Sequence, residues 1–234
     1  MRTMIELSPR LAMAAGMVPW GARLADIGTD HAYLPAALVL SGRIPCAIAA
    51  DLRSGPLERA ENTVKEFNLT DKIQLRLCDG LRGIRPHETD AVVIAGMGGE
   101  TIAAILGAAP WLRAGDVPLI LQPMSSMYDL RRWLGEHGFR IEREDLCREG
   151  ETLYTAWLVR PGEAEAMSET ELWVGRNSPH PLRGGWLALW QGKLRRAMEG
   201  LSRSRLEEAA VRRAQLAEVD AGLTEMREEW EKWQ

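Results

Sequence analysis

Between residues 23 and 122 the chain alternates short, almost wholly apolar runs with longer segments in which apolar residues recur at helical spacing. The runs Arg23–Ile27, Ala47–Ala50, Ile73–Cys78, Ala91–Ala95 and Leu119–Gln122 are rich in Ala, Val, Ile and Leu, as strands buried on both faces should be. Tyr33–Leu40, Pro56–Phe67, Glu100–Leu106 and Met127–Glu136 carry the helical spacing between them. This alternation predicts a parallel sheet with crossover helices. Phe139–Cys147 and Leu153–Val159, joined by the turn-like Arg148-Glu-Gly-Glu151, read as two further strands in an antiparallel hairpin. Ahead of the first strand, Ser8-Pro9 offers an N-cap and a first-turn proline to a short helix over Arg10–Ala15 that Gly16 can end.

After Arg160-Pro-Gly162 the pattern changes. Residues 163–178 are acidic and then polar, a linker with one helical turn around Leu172–Val174, and Gly184-Gly185 marks a second break. Beyond it Leu187, Trp190, Leu194, Ala197 and Leu201 fall at alternating spacings of three and four, as do Leu216, Val219, Leu223, Met226, Trp230 and Trp233. Two such heptad stripes joined by Ser202-Arg-Ser204 predict an antiparallel helical hairpin of coiled-coil type. The expected organisation is therefore an α/β domain over residues 1–162 and a helical hairpin domain over 163–234.

Composition narrows the class without choosing a function. With 234 residues, 46% of them hydrophobic, the chain is long enough to bury one full core beside a smaller appendage. No apolar run approaches the roughly 20 residues of a membrane span and the N-terminus lacks a signal-peptide pattern, so a cytoplasmic protein with no membrane partner is expected. Cys46, Cys78 and Cys147 are widely spaced, with no CxxC pair, and read as strand or strand-end packing residues; neither a disulfide framework nor a metal site is expected. The formal charge of −4 does not advertise a nucleic-acid binder, but the charge is unevenly placed. Between positions 193 and 213 stand seven basic residues, Lys193, Arg195, Arg196, Arg203, Arg205, Arg212 and Arg213, against the three acids Glu199, Glu207 and Glu208. The hairpin thus either packs or dimerises in the ordinary way, or presents a patch suited to phosphates.

The chemistry concentrates where the first strand ends. Leu24-Ala-Asp-Ile-Gly-Thr-Asp-His-Ala-Tyr-Leu-Pro35 runs from strand through a glycine turn into a helix, and the next strand stops on Asp51, the arrangement by which doubly wound domains hold an adenosine-bearing cofactor. A dinucleotide loop would bring several glycine amides against a pyrophosphate, which nearby carboxylates serve poorly. Here the second and third loop glycines are missing and Asp26, Asp30 and His31 stand instead, which favours S-adenosylmethionine, a cofactor with a sulfonium, an ammonium and no phosphate. Asp51 is placed for the ribose diol, Asp79 for the adenine amino group, and Gly80 to let the base approach the backbone. Asp26 faces either the bound amino acid or the loop amides beside Gly28. His31 is either a structural residue of the helix start or a functional one, and Tyr33 either core or acceptor contact. The fourth strand ends in Ala95-Gly96-Met97-Gly98-Gly99, a strand end that offers close backbone approach to cofactor and acceptor, and Gln122-Pro123-Met124 places an amide on the same edge.

These segments resemble a known family. Asp26-Ile-Gly-Thr-Asp-His-Ala-Tyr-Leu-Pro35, Asp79-Gly-Leu81, Ile94-Ala-Gly-Met-Gly-Gly99, Leu119-Ile-Leu-Gln-Pro123 and Leu130-Arg-Arg-Trp-Leu134 look like the bacterial tRNA (adenine-N1)-methyltransferases that modify adenine 22, the TrmK family, over about residues 5 to 160. The resemblance implies a Rossmann-like class I methyltransferase sheet, S-adenosylmethionine held at Asp26, Gly28, Asp51, Asp79 and Gly80, and a C-terminal hairpin that helps to hold tRNA; the charge clustering makes Lys193, Arg195, Arg196, Arg203 and Arg205 its candidate contacts. Where Asn is expected after Gln-Pro, this chain has Met124. Adenine N1 attacks with an in-plane lone pair, so the expected enzyme works by positioning, with Asp30 stabilising the charge that develops on the base. A methyltransferase for a small molecule or a protein shares the cofactor residues; a nicotinamide oxidoreductase is disfavoured by the missing glycines; a noncatalytic protein assembling through the hairpin is the remaining alternative.

Overall fold

The computed structural model describes residues 4–234. The chain divides into two compact units, the first ending at Glu165 and the second running from Ala166 to Gln234.

The first unit contains α1 (Pro9–Met17), β1 (Leu24–Ile27), α2 (Tyr33–Leu40), β2 (Ala47–Asp51), α3 (Ser54–Glu66), β3 (Ile73–Leu77), β4 (Ala91–Gly98), α4 (Gly99–Gly107), β5 (Leu119–Ser125), α5 (Met127–Glu136), β6 (Phe139–Glu149) and β7 (Thr152–Pro161). The seven strands lie in the order β3-β2-β1-β4-β5-β7-β6. The first five are mutually parallel, and β7 runs antiparallel to both β5 and β6. This is the Rossmann-like class I methyltransferase sheet. Its continuous apolar strands are explained by their two packed faces. Leu24, Ala49, Val93 and Ile120 join the core under α1, α2 and α3, whereas Ala25, Ile48, Val92, Ile94, Leu119 and Leu121 join the core under α4 and α5.

Several local expectations change in this unit, and β5 also runs on past Gln122 to Ser125. α1 continues through Gly16 to Met17, and Ser8, although in the N-cap position, makes no side-chain capping bond. β4 does not stop at Ala95 but extends to Gly98, because the chain absorbs an irregularity: the register with β5 shifts between Ala95 and Met97, and Gly96 takes φ +78°. The β6–β7 turn is confined to Gly150-Glu151, with Gly150 at φ +57°.

The second unit consists of α6 (Glu169–Val174), α7 (Arg183–Ser202) and α8 (Glu207–Glu231). α6 is longer than the single turn expected because Ser168 and Glu171 form a capping box: the Glu171 N–H donates to Ser168 Oγ at 3.2 Å and the Ser168 N–H to Glu171 Oε2 at 2.7 Å. Gly184-Gly185 is not a break; both residues lie inside α7. A Cβ at Gly184 would stand 2.5 Å from the Trp230 ring, so this glycine provides room for a tryptophan of α8 against the helix backbone. Leu187, Leu194, Leu216, Val219 and Leu223 are buried as the heptad stripes require, but Ala197 and Trp233 are exposed. The Arg183 guanidinium is buried and donates to the carbonyls of Val174 and Gly175, closing the C-terminus of α6.

Candidate active site

The parallel strands bring their carboxyl ends to one edge, where the loop after β1, the end of β2, the bulged end of β4 and Gln122 of β5 stand side by side. That edge is where an open α/β sheet binds ligands.

Asp26 is 5% exposed and pairs in register with Ala49 and Val93. Burial pushes its carboxyl up to about 6; the Thr29 hydroxyl, donating to Oδ2 at 2.6 Å, opposes the rise, and the nearby Asp51 adds to it. Gly28 follows at φ +74°, and both its N–H and that of Thr29 donate to the Ala50 carbonyl, tying the turn to the end of β2. A Cβ at Gly28 would stand 2.1 Å from Met97 Cε, so the methionine of the β4 bulge lies directly over the turn. Asp51 is almost buried; its Oδ1 accepts the Arg53 N–H at 2.9 Å, and its other oxygen has no hydrogen-bond partner among the described residues. Asp79 is exposed and paired with Arg82 at 3.1 Å, while Gly80 beside it takes φ +54° with Ile105 close by.

These features fit an adenosine-bearing cofactor without phosphates. One buried acid and one nearly buried acid flank a glycine turn whose amides are already occupied, leaving little for an anion and much for hydroxyl and ammonium donors.

The remaining candidates fall around this centre. Asp30 and Ala32 both adopt left-handed backbone, at φ 48° and 54°, and the loop turns the Asp30 carboxylate toward Arg59 of α3, which donates to its Oδ1 from both Nε and Nη2. His31 Nε2 lies 3.7 Å from Asp30 Oδ2, and its ring stacks on Tyr33 at 5.0 Å between centroids. Tyr33 is 43% exposed, so it is a surface aromatic and not a core residue. Ala95 lies opposite Gln122 in the ladder, and Gly98 opposite Ser125. Gln122 is fully buried; its Oε1 accepts both the Gly96 N–H at 3.0 Å and Arg10 Nη1 at 2.7 Å.

Arg10, Thr29 and Arg59 are parts of the site that the sequence pattern does not single out. Thr29, three residues after Asp26, is discoverable as a local hydroxyl donor. Arg10 and Arg59 give no local signal, being 112 residues from Gln122 and 29 from Asp30.

In the second unit the basic residues do not form one uniform patch. Lys193 sits 4.5 Å from the centre of the Trp190 ring, and burial lowers its pKa. Arg195 reaches Asp220 at 3.5 Å, and Arg203 pairs with Glu199 at 3.3 Å. Arg196 and Arg205 have no hydrogen-bond or ion-pair partner among the described residues. Among those residues no helix is long and apolar enough to cross a membrane.

Comparison with known proteins agrees with this geometry. A family profile described as a methyltransferase domain matches residues 7–156. The chain is 38% identical over 162 residues to the tRNA (adenine(22)-N(1))-methyltransferase of Bacillus subtilis, spanning 69% of this chain and 68% of that protein. The crystal structure of Streptococcus pneumoniae Sp1610 in complex with S-adenosyl-L-methionine is 33% identical, with a TM-score of 0.82 over 95% of this chain and 100% of that one. The crystal structure of B. subtilis TrmK, a tRNA methyltransferase, is 31% identical, with a TM-score of 0.83 over 95% and 99% of the two chains.

Proposed function

The chain belongs to the TrmK family of tRNA (adenine(22)-N1)-methyltransferases, and from that premise we infer that it transfers a methyl group from S-adenosylmethionine to N1 of adenine 22 in tRNA. The observation that carries this reading is the 38% identity to the B. subtilis enzyme over 162 residues, beside a sheet edge where the acids and the glycine turn meet. Tight binding of a nicotinamide cofactor is disfavoured by the same edge, whose turn amides are bound to Ala50.

In this proposal the cofactor supplies an electrophilic methyl on a sulfonium, and the residues of the chain bind and align. Asp51 accepts the ribose hydroxyls, Asp79 and Gly80 the adenine, Asp26 and Gly28 the amino-acid end, and Ala95 and Gly96 line the approach. Tyr33, Met97, Gly98 and Gln122 surround the acceptor base. Alignment is the main task, because N1 attacks with a lone pair already in the ring plane, and orientation alone is worth about 7 to 11 kcal/mol of the barrier. Asp30, oriented by Arg59 and flanked by His31, is the carboxylate that stabilises positive charge on the methylated base. N1 is an edge that base pairing often covers, so the base must be exposed at a cost of a few kcal/mol. We assign residues 1–162 to this chemistry and residues 163–234 to gripping tRNA through Lys193, Arg195, Arg196, Arg203 and Arg205, in a cytoplasmic enzyme.

The test is direct. Labelled S-adenosylmethionine is incubated with an unmodified tRNA transcript carrying adenine at position 22 and with a transcript carrying guanine there, and the product nucleoside is identified. Transfer giving 1-methyladenosine only with the first transcript is expected; no transfer, or transfer insensitive to position 22, removes the reading.

A further inference from the structure

We propose that Arg10 is a positioning residue that grips a phosphodiester of the RNA strand at the target nucleotide and ties that grip, through Gln122, to the bulge of β4. The proposal deepens the reading of tRNA methylation given above and rests on it.

Arg10 lies in the first turn of α1, yet its side chain reaches the carboxyl edge of the sheet. One corner of its guanidinium, Nη1, donates to Gln122 Oε1 at 2.7 Å, and the same oxygen accepts the Gly96 N–H at 3.0 Å. A single buried amide oxygen therefore joins the cation to the backbone at φ +78° in the bulge that flanks the acceptor site. On one side the guanidinium faces the Tyr154 ring, with Cζ 5.8 Å from the centroid. The backbone N–H of Arg10 is separately held by Glu149 Oε2 at 3.1 Å, so α1 is anchored to the tip of the β6–β7 hairpin and the side chain is aimed from a fixed base.

Arg10 differs from the ion-paired arginines of the sheet unit in what it lacks. Arg59, Arg76 and Arg131 each have a carboxylate against the guanidinium. Arg10 has a neutral amide, makes no ion pair with its side chain among the described residues, and keeps Nε and Nη2 without an acceptor there. Arg10 is only half-buried. Two adjacent N–H donors on a planar cation, with the nearby Glu149 carboxylate on the backbone N–H and not on the guanidinium, match two oxygens of a phosphodiester. The RNA strand must pass this edge for its base to enter, and it carries one such group per nucleotide.

The experiment compares the full-length wild type with Arg10→Gln, Arg10→Lys and Gln122→Leu, measuring tRNA binding over a range of salt, single-turnover methylation, and S-adenosylmethionine binding as a report that the sheet unit is folded. Arg10→Gln should lower the slope of log affinity against log salt by about 0.7 to 0.9 and reduce kcat/KM for tRNA about ten- to a hundredfold, the loss of a charged hydrogen bond. Arg10→Lys should restore the slope and part of the activity. Gln122→Leu, which keeps the cation but breaks its tie to Gly96, should lower turnover with the slope unchanged. A wild-type slope in Arg10→Gln, or an Arg10→Lys enzyme no better than Arg10→Gln, overturns the proposal while leaving the methylation reading intact. A wild-type enzyme that methylates no tRNA removes both.

Discussion

Replacing Asp26 with Asn removes a charge that the fold holds against its solvation. In the native state the carboxyl is 5% exposed and titrates near 6, chiefly because of burial, against an ordinary value of 3.8. The difference amounts to about 3 kcal/mol of preference for the protonated native form. The native protein therefore binds more protons than the unfolded chain between about pH 4 and pH 6, and Asp26 makes stability fall as pH rises across that window, with the full penalty present above it. Acids held low by arginine, such as Glu88 and Asp90, act in the opposite sense and at lower pH. The difference between wild type and Asp26→Asn isolates the one group. Urea unfolding of the cofactor-free sheet unit, followed from pH 4.5 to 8 in both proteins within the full chain, should show their stabilities diverging by up to about 3 kcal/mol in favour of the variant as pH rises, offset by a constant cost of the extra buried amide donor. If the carboxylate also meets the cofactor's ammonium, wild-type affinity for S-adenosylmethionine should climb up to tenfold per pH unit below 6 and level off above it, and the variant should lose that climb. Parallel stability profiles for the two proteins would refute the buried charge, and a climb retained by the variant would assign the titration elsewhere.

Other substitutions probe the remaining parts. If the buried Asp51 accepts the ribose hydroxyls as proposed, Asp51→Ala should weaken S-adenosylmethionine and its demethylated product alike, by about 1.5 to 3 kcal/mol in calorimetry. Asp30→Asn should keep cofactor affinity and lose single-turnover rate; an unchanged rate at saturating tRNA would leave the Arg59 pair with a purely structural role. Gly184→Ala puts a methyl 2.5 Å from the Trp230 ring and should destabilise the helical unit by about 1 to 3 kcal/mol in thermal unfolding, with methyl transfer affected only through tRNA affinity. Arg203→Ala with Arg205→Ala should flatten the salt dependence of tRNA binding by about 0.7 to 0.9 for each phosphate the hairpin no longer neutralises, while cofactor affinity holds; an unchanged slope would return the hairpin to a packing or dimerising role.

What the sequence by itself determined is the set of features encoded within a few residues of one another. Apolar runs such as Ala91–Ile94 announce strands because alternate residues must fill two cores, and the order of elements then leaves few topologies. The glycine turn after β1 and the acid closing β2 are likewise local statements, so the sequence alone placed Asp26, Gly28 and Asp51 together at one strand-end edge, where the structure finds them, and the motif set was specific enough to indicate the family. Local signals misled where a neighbour distant in the chain supplied the missing reason. Gly184-Gly185 reads as a break until the Trp230 ring is seen to need the space, and β4 reads as ending at Ala95 until the bulge at Gly96 is paired with β5. Only the tertiary structure decided that Asp30 turns toward Arg59 and that Arg10 arrives beside Gln122 from 112 residues away. Such partners carry no periodicity or spacing, because hydrogen bonds across packed elements depend on where the elements dock and not on the residues adjacent to either end.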